Sequence, residues 1–541
     1  MVLKEEVQKI VDGEVYDSPD ILEEYSEDKS IFKVTPELVV FPESSEDIKN
    51  LVTFAKSKKN ISLTARSAGT DMSGGPLSNS IVLGFTKFFN HTREVGKDFA
   101  VVEPGVYFRD FEKEILKRGL MFPSYPASKE LCALGGIVAN NSGGEKSLQY
   151  GKTENYVLGL KVVLSDGNEY YIEKLSGPEL AKKLNKKGFE SDLYNKVYKL
   201  IKTNFNVALK AKPDVLKNSS GYDIWNIYNP EDGSFDLTKL FVGSQGTLGI
   251  ITEIKVKLVP VNRFSKLCVI FVKDISKVPQ FVNEVLKLSP GSLEVTDDHT
   301  FKLYLKYFRE MASLLGAKGI FSTIKLFLPE FIMVLRGGVP KLVILAEFDG
   351  NNASNVLNQA GKVIPIAKKY GFDSKIAKNE IEAEKYWRLR RDTYRLLREK
   401  LKNEVAAPFI DDLIVKPEYL PEFLPKLYEI LDKYKLTYTI SGHIGEGNFH
   451  VIPLMNFRND EEKIIHEVTD KVYALVLKYK GSLSAEHNDG LIRSPYLEKQ
   501  FGKEVFGIFK EIKNIFDPQG IFNPHKKTLS DKKYSLAHIM D

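Results

Sequence analysis

Cysteine is almost missing from this 541-residue chain, which holds only Cys132 and Cys268. With no Cys-x-x-Cys pair, the chain can build neither a disulfide framework nor its own four-thiolate iron–sulfur cluster. Any redox chemistry must therefore run through a bound organic cofactor. Charge of one sign is lacking too. Lysine and arginine number 77 against 72 acidic residues, a formal net charge of +5. That surplus is too mild and dispersed to argue for a nucleic-acid partner. No uncharged apolar run reaches the ~20 residues of a membrane span. The most apolar stretch, SLLGAKGIFSTIKLFLPEFIMVL, is broken by Lys318, Lys325, Pro329 and Glu330. It reads as buried or interface-forming helix, with a membrane-surface patch as the alternative. The opening MVLKEEVQKIVDGEVY is charged and has no apolar export segment, the pattern expected of an intracellular, cytoplasmic protein. Histidine is scarce as well, 8 in the chain, so places where histidines gather stand out.

The composition, 43% hydrophobic and 28% charged, is that of a folded protein too long for one core. ELVVFPESSEDIKNLVTFAKSKKNISLTARSAG reads as strand, helix, strand and glycine loop, with Ile48, Leu51, Val52 and Ala55 at helical spacing. LGLKVVLSDGNEYYIEK reads as a hairpin turning at Asp166-Gly167. KLFVGSQGTLGIITEIKVKLVP closes that region, and strand–helix–strand patterns resume beyond it.

Three glycine-rich stretches lie in the first half: TARSAGTDMSGG (64–75), LGGIVANNSGGEKSLQYG (134–151) and GSQGTLGI (243–250). Glycine allows close backbone approach, and successive N–H groups can form an anion-binding nest. None is a G-x-G-x-x-G fingerprint or a P-loop. Each alone reads as a turn; three together point to an extended, dinucleotide-like ligand.

In ISGHIGEGNFHVIPLMN (440–456), His443 and His450 flank a glycine-rich bend, and SLSAEHNDG carries Glu486-His487 after an expected strand, Ser482–Ser484. On one continuous strand the two histidines would face apart, whereas a reversal would let the rings converge. Two imidazoles and a carboxylate suit Zn²⁺ or another divalent ion with an open position, and His487 could then take a proton from a substrate hydroxyl. The competing reading is a set of hydrogen-bonding loop histidines. Likewise Arg388, Arg390 and Arg391, beside Trp387 and Tyr394, form either a carboxylate clamp or the solvated face of a helix.

Taken in order, ARSAGTDMSGG, ALGGIVANNSGG, YGKTENYVLGLKVVLSDG, LFVGSQGTLGIITEIKVKLVP, GHIGEGNFH, SAEHNDG and FDPQGIFNP resemble the FAD-dependent 2-hydroxy-acid dehydrogenases of the vanillyl-alcohol-oxidase type. That group includes D-lactate dehydrogenases, glycolate oxidase flavin subunits and D-2-hydroxyglutarate dehydrogenases. The resemblance implies an α+β fold: an N-terminal helical segment over 1–34, an FAD-binding domain of two subdomains over 35–262, a substrate-binding cap over 263–500 with an apolar insertion near 303–342, and a C-terminal return over 501–541. It implies that Arg66, Ser67, Ala68, Gly69, Thr70, Asp71, Met72 and Ser73 cradle the FAD pyrophosphate. Pro126, Ser128, Gly135, Gly136, Asn141, Ser142, Gly151 and Thr153 would follow the ribityl and flavin path. Gly246, Ile250 and Ile251 would meet the adenine side, with Asn523 closing from the tail. Thr70 stands where relatives with covalent flavin carry histidine, so the FAD is expected to be non-covalent. His443, His450 and Glu486 become metal ligands, with Zn²⁺ expected and Fe²⁺ or Mn²⁺ as alternatives; His487 becomes the base and Arg390 the substrate-carboxylate arginine. The implied reaction is metal-assisted oxidation of a D-2-hydroxy acid with hydride transfer to flavin N5.

Several positions depart from the family pattern. Ile452 replaces an asparagine, Ile410 lies where hydroxyglutarate enzymes have lysine, and Ala485 and Asn488 replace glycines beside Glu486-His487. The branch this chain resembles is often fused to a cysteine-rich iron–sulfur domain. A separate iron–sulfur protein, electron-transfer flavoprotein or quinone is therefore expected to take the electrons, with the apolar insertion a candidate surface for docking it or for peripheral membrane contact. A homo- or hetero-oligomer is compatible with this. Two other readings share the scaffold: an alkyl-glycerone-phosphate-synthase-like non-redox flavoenzyme, and a non-catalytic flavin-binding subunit. Retention of Glu486, His487 and both bend histidines argues against each.

Overall fold

Helix Ser45–Ser57 shows how the first part of the chain builds its core. The Ser44 hydroxyl caps it by accepting from the Asp47 N–H at 3.4 Å, and Ile48, Leu51, Val52 and Ala55 form its fully buried stripe. That stripe packs on strands Leu38–Phe41, Leu63–Arg66 and Ile81–Gly84, which are too short and too apolar to be stable unless covered. The computed structural model describes residues 2–306, 338–391, 405–455 and 461–540. The apolar stretch and most of the insertion expected near 303–342 lie outside them, as does Tyr394. Among the described residues, no helix is long and apolar enough to cross a membrane.

The chain divides into two units. One comprises Met1–Gly144, Gly151–Val261 and Ser482–Asp541; the other comprises Glu145–Tyr150 and Asn262–Gly481. The first unit contains a four-stranded sheet in the order Glu14–Tyr16, Leu38–Phe41, Ile81–Gly84, Leu63–Arg66, parallel except at its Glu14–Tyr16 edge. It also contains a six-stranded antiparallel sheet in the order Phe235–Asp236, Glu169–Leu175, Val157–Val163, Ile250–Lys257, Phe99–Val102, Thr92–Val95. Val157–Val163 and Glu169–Leu175 form the expected hairpin, with Gly167 in its turn at φ +87°.

The second unit is built on an eight-stranded antiparallel sheet. Its order is Asp373–Ile376, Phe264–Val272, Leu342–Gly350, Ser292–Asp297, Thr437–His443, Asn448–Met455, Val405–Ala406, with Leu413–Ile414 also paired to Asn448–Met455. Helices Val278–Leu286, Ala353–Lys369 and Leu420–Lys433 bury apolar stripes. Strand Ser292–Asp297 is buried at every position, as a strand deep inside a covered sheet must be.

These boundaries differ from the expected ones at three places. Residues 1–34 are not a separate segment: Val7, Val11 and Val15 enter the first unit's core, and the Asp47 carboxylate accepts from the N–H groups of Asp12 and Gly13 at 2.9 and 3.0 Å. The second unit stops at Gly481 rather than at 500. The Ser482 hydroxyl donates to Asn218 at 2.6 Å and the Ser219 N–H to the Ser484 carbonyl at 3.0 Å, which binds 482–484 to the first unit. Glu145–Tyr150, from the middle of a glycine-rich stretch, belongs to the second unit. Lys146 pairs with Glu347 at 2.5 Å and the Ser147 hydroxyl donates to Glu446 at 3.0 Å.

Candidate active site

The sheet register explains how the bend brings two histidines together. Ser441 pairs with His450, and His443 lies two residues further along the same strand, on the same face as Ser441. His443 and His450 are therefore diagonal neighbours, their ring centroids 5.4 Å apart and their planes at 84°. The reversal depends on Gly447, at φ +75°, where a side chain would run into the Val415 carbonyl.

Each ring is held by a carboxylate. His443 Nδ1 lies 2.6 Å from Glu294 Oε1, and His450 Nδ1 lies 3.1 Å from Asp411 Oδ1. Donation from Nδ1 selects the tautomer in which Nε2 carries the lone pair, the arrangement metal-ligating histidines adopt. The donor chemistry thus fits a divalent ion. Glu294 also accepts from Arg390 Nε at 3.0 Å, with only 2% and 8% of the two side chains exposed. Burial pushes the Glu294 carboxyl up, but its partners His443 and Arg390 outweigh this and hold the group below the ordinary glutamate range. Arg390 Nη2 is buried with no hydrogen-bond partner among the described residues. Beside it Arg391 grips Glu145 through two bonds of 2.8 and 2.6 Å. Arg390 is thus buried and Arg391 half-buried, and each is spent on an acid rather than on solvent. Glu446, between the two histidines, accepts from the Ser147 hydroxyl at 3.0 Å.

Glu486 and His487 belong to the first unit. Ser482–Ser484 does not form the expected strand. Only Ser482 makes a bridge, because the Ser482 hydroxyl turns to Asn218 and to the Ser484 carbonyl, and residues 485–487 bend. Glu486 Oε2 accepts from Lys217 Nζ at 2.7 Å, and His487 Nε2 lies 3.8 Å from Glu486 Oε1. Asn488 has φ +68°, in the left-handed region that asparagine and glycine tolerate, which accounts for asparagine where a glycine is usual.

The three glycine-rich stretches do converge. Asp71 turns its carboxylate inward, accepting from the Ser73 and Gly75 N–H groups at 3.0 and 2.7 Å and from Asn140 at 2.6 Å. Gln245 donates to the Ser73 hydroxyl at 3.3 Å and to Asn140 at 3.2 Å. Asn523 donates to the carbonyls of Gly75 and Gln245 at 2.9 and 2.6 Å, tying two of the loops together. Arg66 is spent on the carbonyls of Tyr25 and Glu27, so what it can offer an anion is the backbone it shapes. Ile250 is core, leaving its backbone as the part able to meet a ligand. Ser67 bonds the Pro104 carbonyl, and Ser142 is bracketed by the Ser124 and Thr153 hydroxyls. A Cβ on Gly136 would meet no other atom within 4 Å, whereas one on Gly135 would crowd Pro104 and Ser67. Backbone nests with open space beside a glycine fit a dinucleotide.

Sequence reasoning missed Glu294, Asp411, Lys217, Gln245 and Asp28. The last accepts from the Gly74 N–H at 3.1 Å, and burial, then neighbouring Asp71, push its carboxyl up to about 7.

Residues 36–171 match the family described as FAD binding domain, and 261–527 match the FAD linked oxidases, C-terminal domain. The chain is 26% identical to a D-2-hydroxyglutarate dehydrogenase of Haemophilus influenzae over 95% of its own length, yet spans only about half, 50%, of that relative. It is 28% identical to glycolate oxidase subunit GlcD of Bacillus subtilis, covering 93% of this chain and 91% of that one. Among solved structures, p-cresol methylhydroxylase superposes with a TM-score of 0.67 at 16% identity, covering 97% and 96% of the two chains, which establishes the α+β fold as the expected type.

Proposed function

We propose, on the premise that the chain belongs to the FAD-linked oxidases, that it oxidises a D-2-hydroxy acid to the 2-oxo acid and passes the electrons to a separate acceptor. One observation carries the substrate class: a buried guanidinium, Arg390, whose Nη2 has no partner among the described residues while its Nε is fixed on Glu294. Such an N–H costs on the order of 1–3 kcal/mol when left unsatisfied, and an accepting carboxylate on a ligand recovers that.

Bound FAD, held non-covalently, supplies the hydride acceptor. A bound divalent ion, Zn²⁺ before Fe²⁺ or Mn²⁺, supplies a Lewis acid that makes the substrate hydroxyl more acidic. The chain's own residues do the rest. Arg390 binds the substrate carboxylate and orients it. His443 and His450 present Nε2 lone pairs, and Glu486 adds a carboxylate that Lys217 holds in place. His487 accepts the hydroxyl proton. Ile410, fully buried, brings no cation for a second carboxylate, which favours a monocarboxylic acid of the glycolate or lactate class. Both cysteines are buried, and two thiols cannot hold an iron–sulfur cluster. The proposed acceptor is an iron–sulfur protein, an electron-transfer flavoprotein or a quinone.

Anaerobic mixing of the FAD-loaded, metal-replete protein with a panel of D- and L-2-hydroxy acids should bleach the flavin with D-configured or achiral monoacids. Bleaching by none of them refutes the reading. His450→Ala should reduce the metal content at least tenfold while FAD stays bound, since the glycines of the three loops all belong to the other unit. Unchanged metal content would remove His450 from the ligand set.

A further inference from the structure

Glu294 touches two residues of the proposed machinery, and it comes from a strand whose sequence, SLEVTD, carries no motif. Val295 pairs with Gly442, so one step along the ladder sets Glu294 opposite His443. Its two oxygens are divided between different partners. Oε1 lies 2.6 Å from His443 Nδ1, and Oε2 accepts from Arg390 Nε at 3.0 Å. A carboxylate in the middle of a fully buried strand is costly unless both oxygens are bonded. Here both are, and each bond reaches a residue with a different task.

We infer that Glu294 is a positioning residue that couples the two halves of substrate recognition, setting the His443 ring for the metal through one oxygen and aiming the Arg390 guanidinium at the substrate carboxylate through the other. This rests on the function proposed above. With Nε committed to Glu294, the guanidinium plane is fixed and its Nη2 edge is the one presented. With Nδ1 of His443 committed to the same carboxylate, ring orientation and tautomer are fixed as well. Metal affinity and preference for a carboxylate-bearing substrate thus share one support. An amide at 294 carries no charge, and because the two partners lie at different oxygens, an NH2 donor must take the place of the acceptor facing one of them.

The test compares wild type, Glu294→Gln and Glu294→Asp as FAD-loaded full chains. Zn²⁺ affinity is read by chelator competition. KM and kcat are read for a 2-hydroxy acid and for its uncharged amide. Glu294→Gln should weaken Zn²⁺ binding about 10- to 100-fold. It should also raise KM for the acid at least tenfold, narrow the preference for acid over amide, and change kcat less than KM. Glu294→Asp, which keeps the charge, should restore part of both effects. A merely structural role would lower stability and leave the acid-to-amide ratio and Zn²⁺ affinity within twofold of wild type, overturning the inference. A change in only one of the two would overturn the coupling. If Glu294→Gln does not fold, Glu294→Gln/Arg390→Gln removes the stranded charge, and Zn²⁺ binding must still be weakened. Wild type that binds no Zn²⁺ and is reduced by no acid would sink the parent reading and this inference together. Wild type that does both, beside an unaltered Glu294→Gln, sinks the inference alone.

Discussion

His487→Ala is expected to slow flavin reduction by a 2-hydroxy acid about 100- to 10,000-fold, the usual contribution of a positioned general base. FAD and metal content should stay at wild-type levels, because the proposed metal ligands are His443, His450 and Glu486 and the proposed role of His487 is proton transfer alone. In the first unit His487 Nε2 lies 3.8 Å from Glu486 Oε1, and the side chain keeps 21% of its surface exposed, so a small molecule can reach it. A solvent-reachable base can also be replaced from solution. Added imidazole should therefore restore part of the lost rate in the alanine variant and none in wild type. Anaerobic stopped-flow absorbance at saturating substrate reads the effect. Reduction near the wild-type rate would assign the proton to another group.

The second large effect concerns stability. Lys527 and Asp489 are both fully buried and 2.7 Å apart, and Lys527 Nζ also donates to the Gly221 carbonyl at 2.7 Å and to Asn488 Oδ1 at 2.6 Å. Lys527→Met removes the cation and strands the Asp489 carboxylate without its counter-charge, a loss expected to cost about 3–5 kcal/mol. Unfolding in urea, followed by circular dichroism, measures the loss. The double variant Lys527→Met/Asp489→Leu should recover most of the loss, since paired removal leaves no isolated charge. A single-variant loss below about 1 kcal/mol would mean that water solvates Asp489 instead. Asn488 follows His487 directly, so the single variant should also reduce turnover before it unfolds.

What could be read from the sequence was local. Glycines gathered within a dozen residues mark the cofactor loops, and the His443–His450 bend is short enough for its reversal to be anticipated. The supports of that site were hidden by separation. Glu294 reaches His443 across 149 positions, Lys217 reaches Glu486 across 269, and each is one ordinary charged residue in a chain 28% charged. Arg390 was ambiguous for the same reason: periodicity alone cannot say whether an arginine on a helix faces water or a buried acid. Ser482–Ser484 has strand-like composition, but its serine side chains compete for backbone partners and bend the chain. Residues 1–34 seemed detachable because their apolar positions are sparse, yet Val7, Val11 and Val15 suffice to seat them.

The bond from the Thr64 hydroxyl to Asn523 joins residues 459 positions apart, beside the bridge from Leu63 to Phe522. A ribosome adding ~5–20 residues per second needs roughly 25–90 s to cover that distance. For that time the Leu63–Arg66 strand has emerged with neither the tail that closes its edge nor the asparagine that ties Gly75 to Gln245. The nascent first unit thus carries an open sheet edge, the kind of surface that chaperones cover and neighbouring polysomes aggregate through. Flavin capture is therefore expected to wait for Asn523 to emerge.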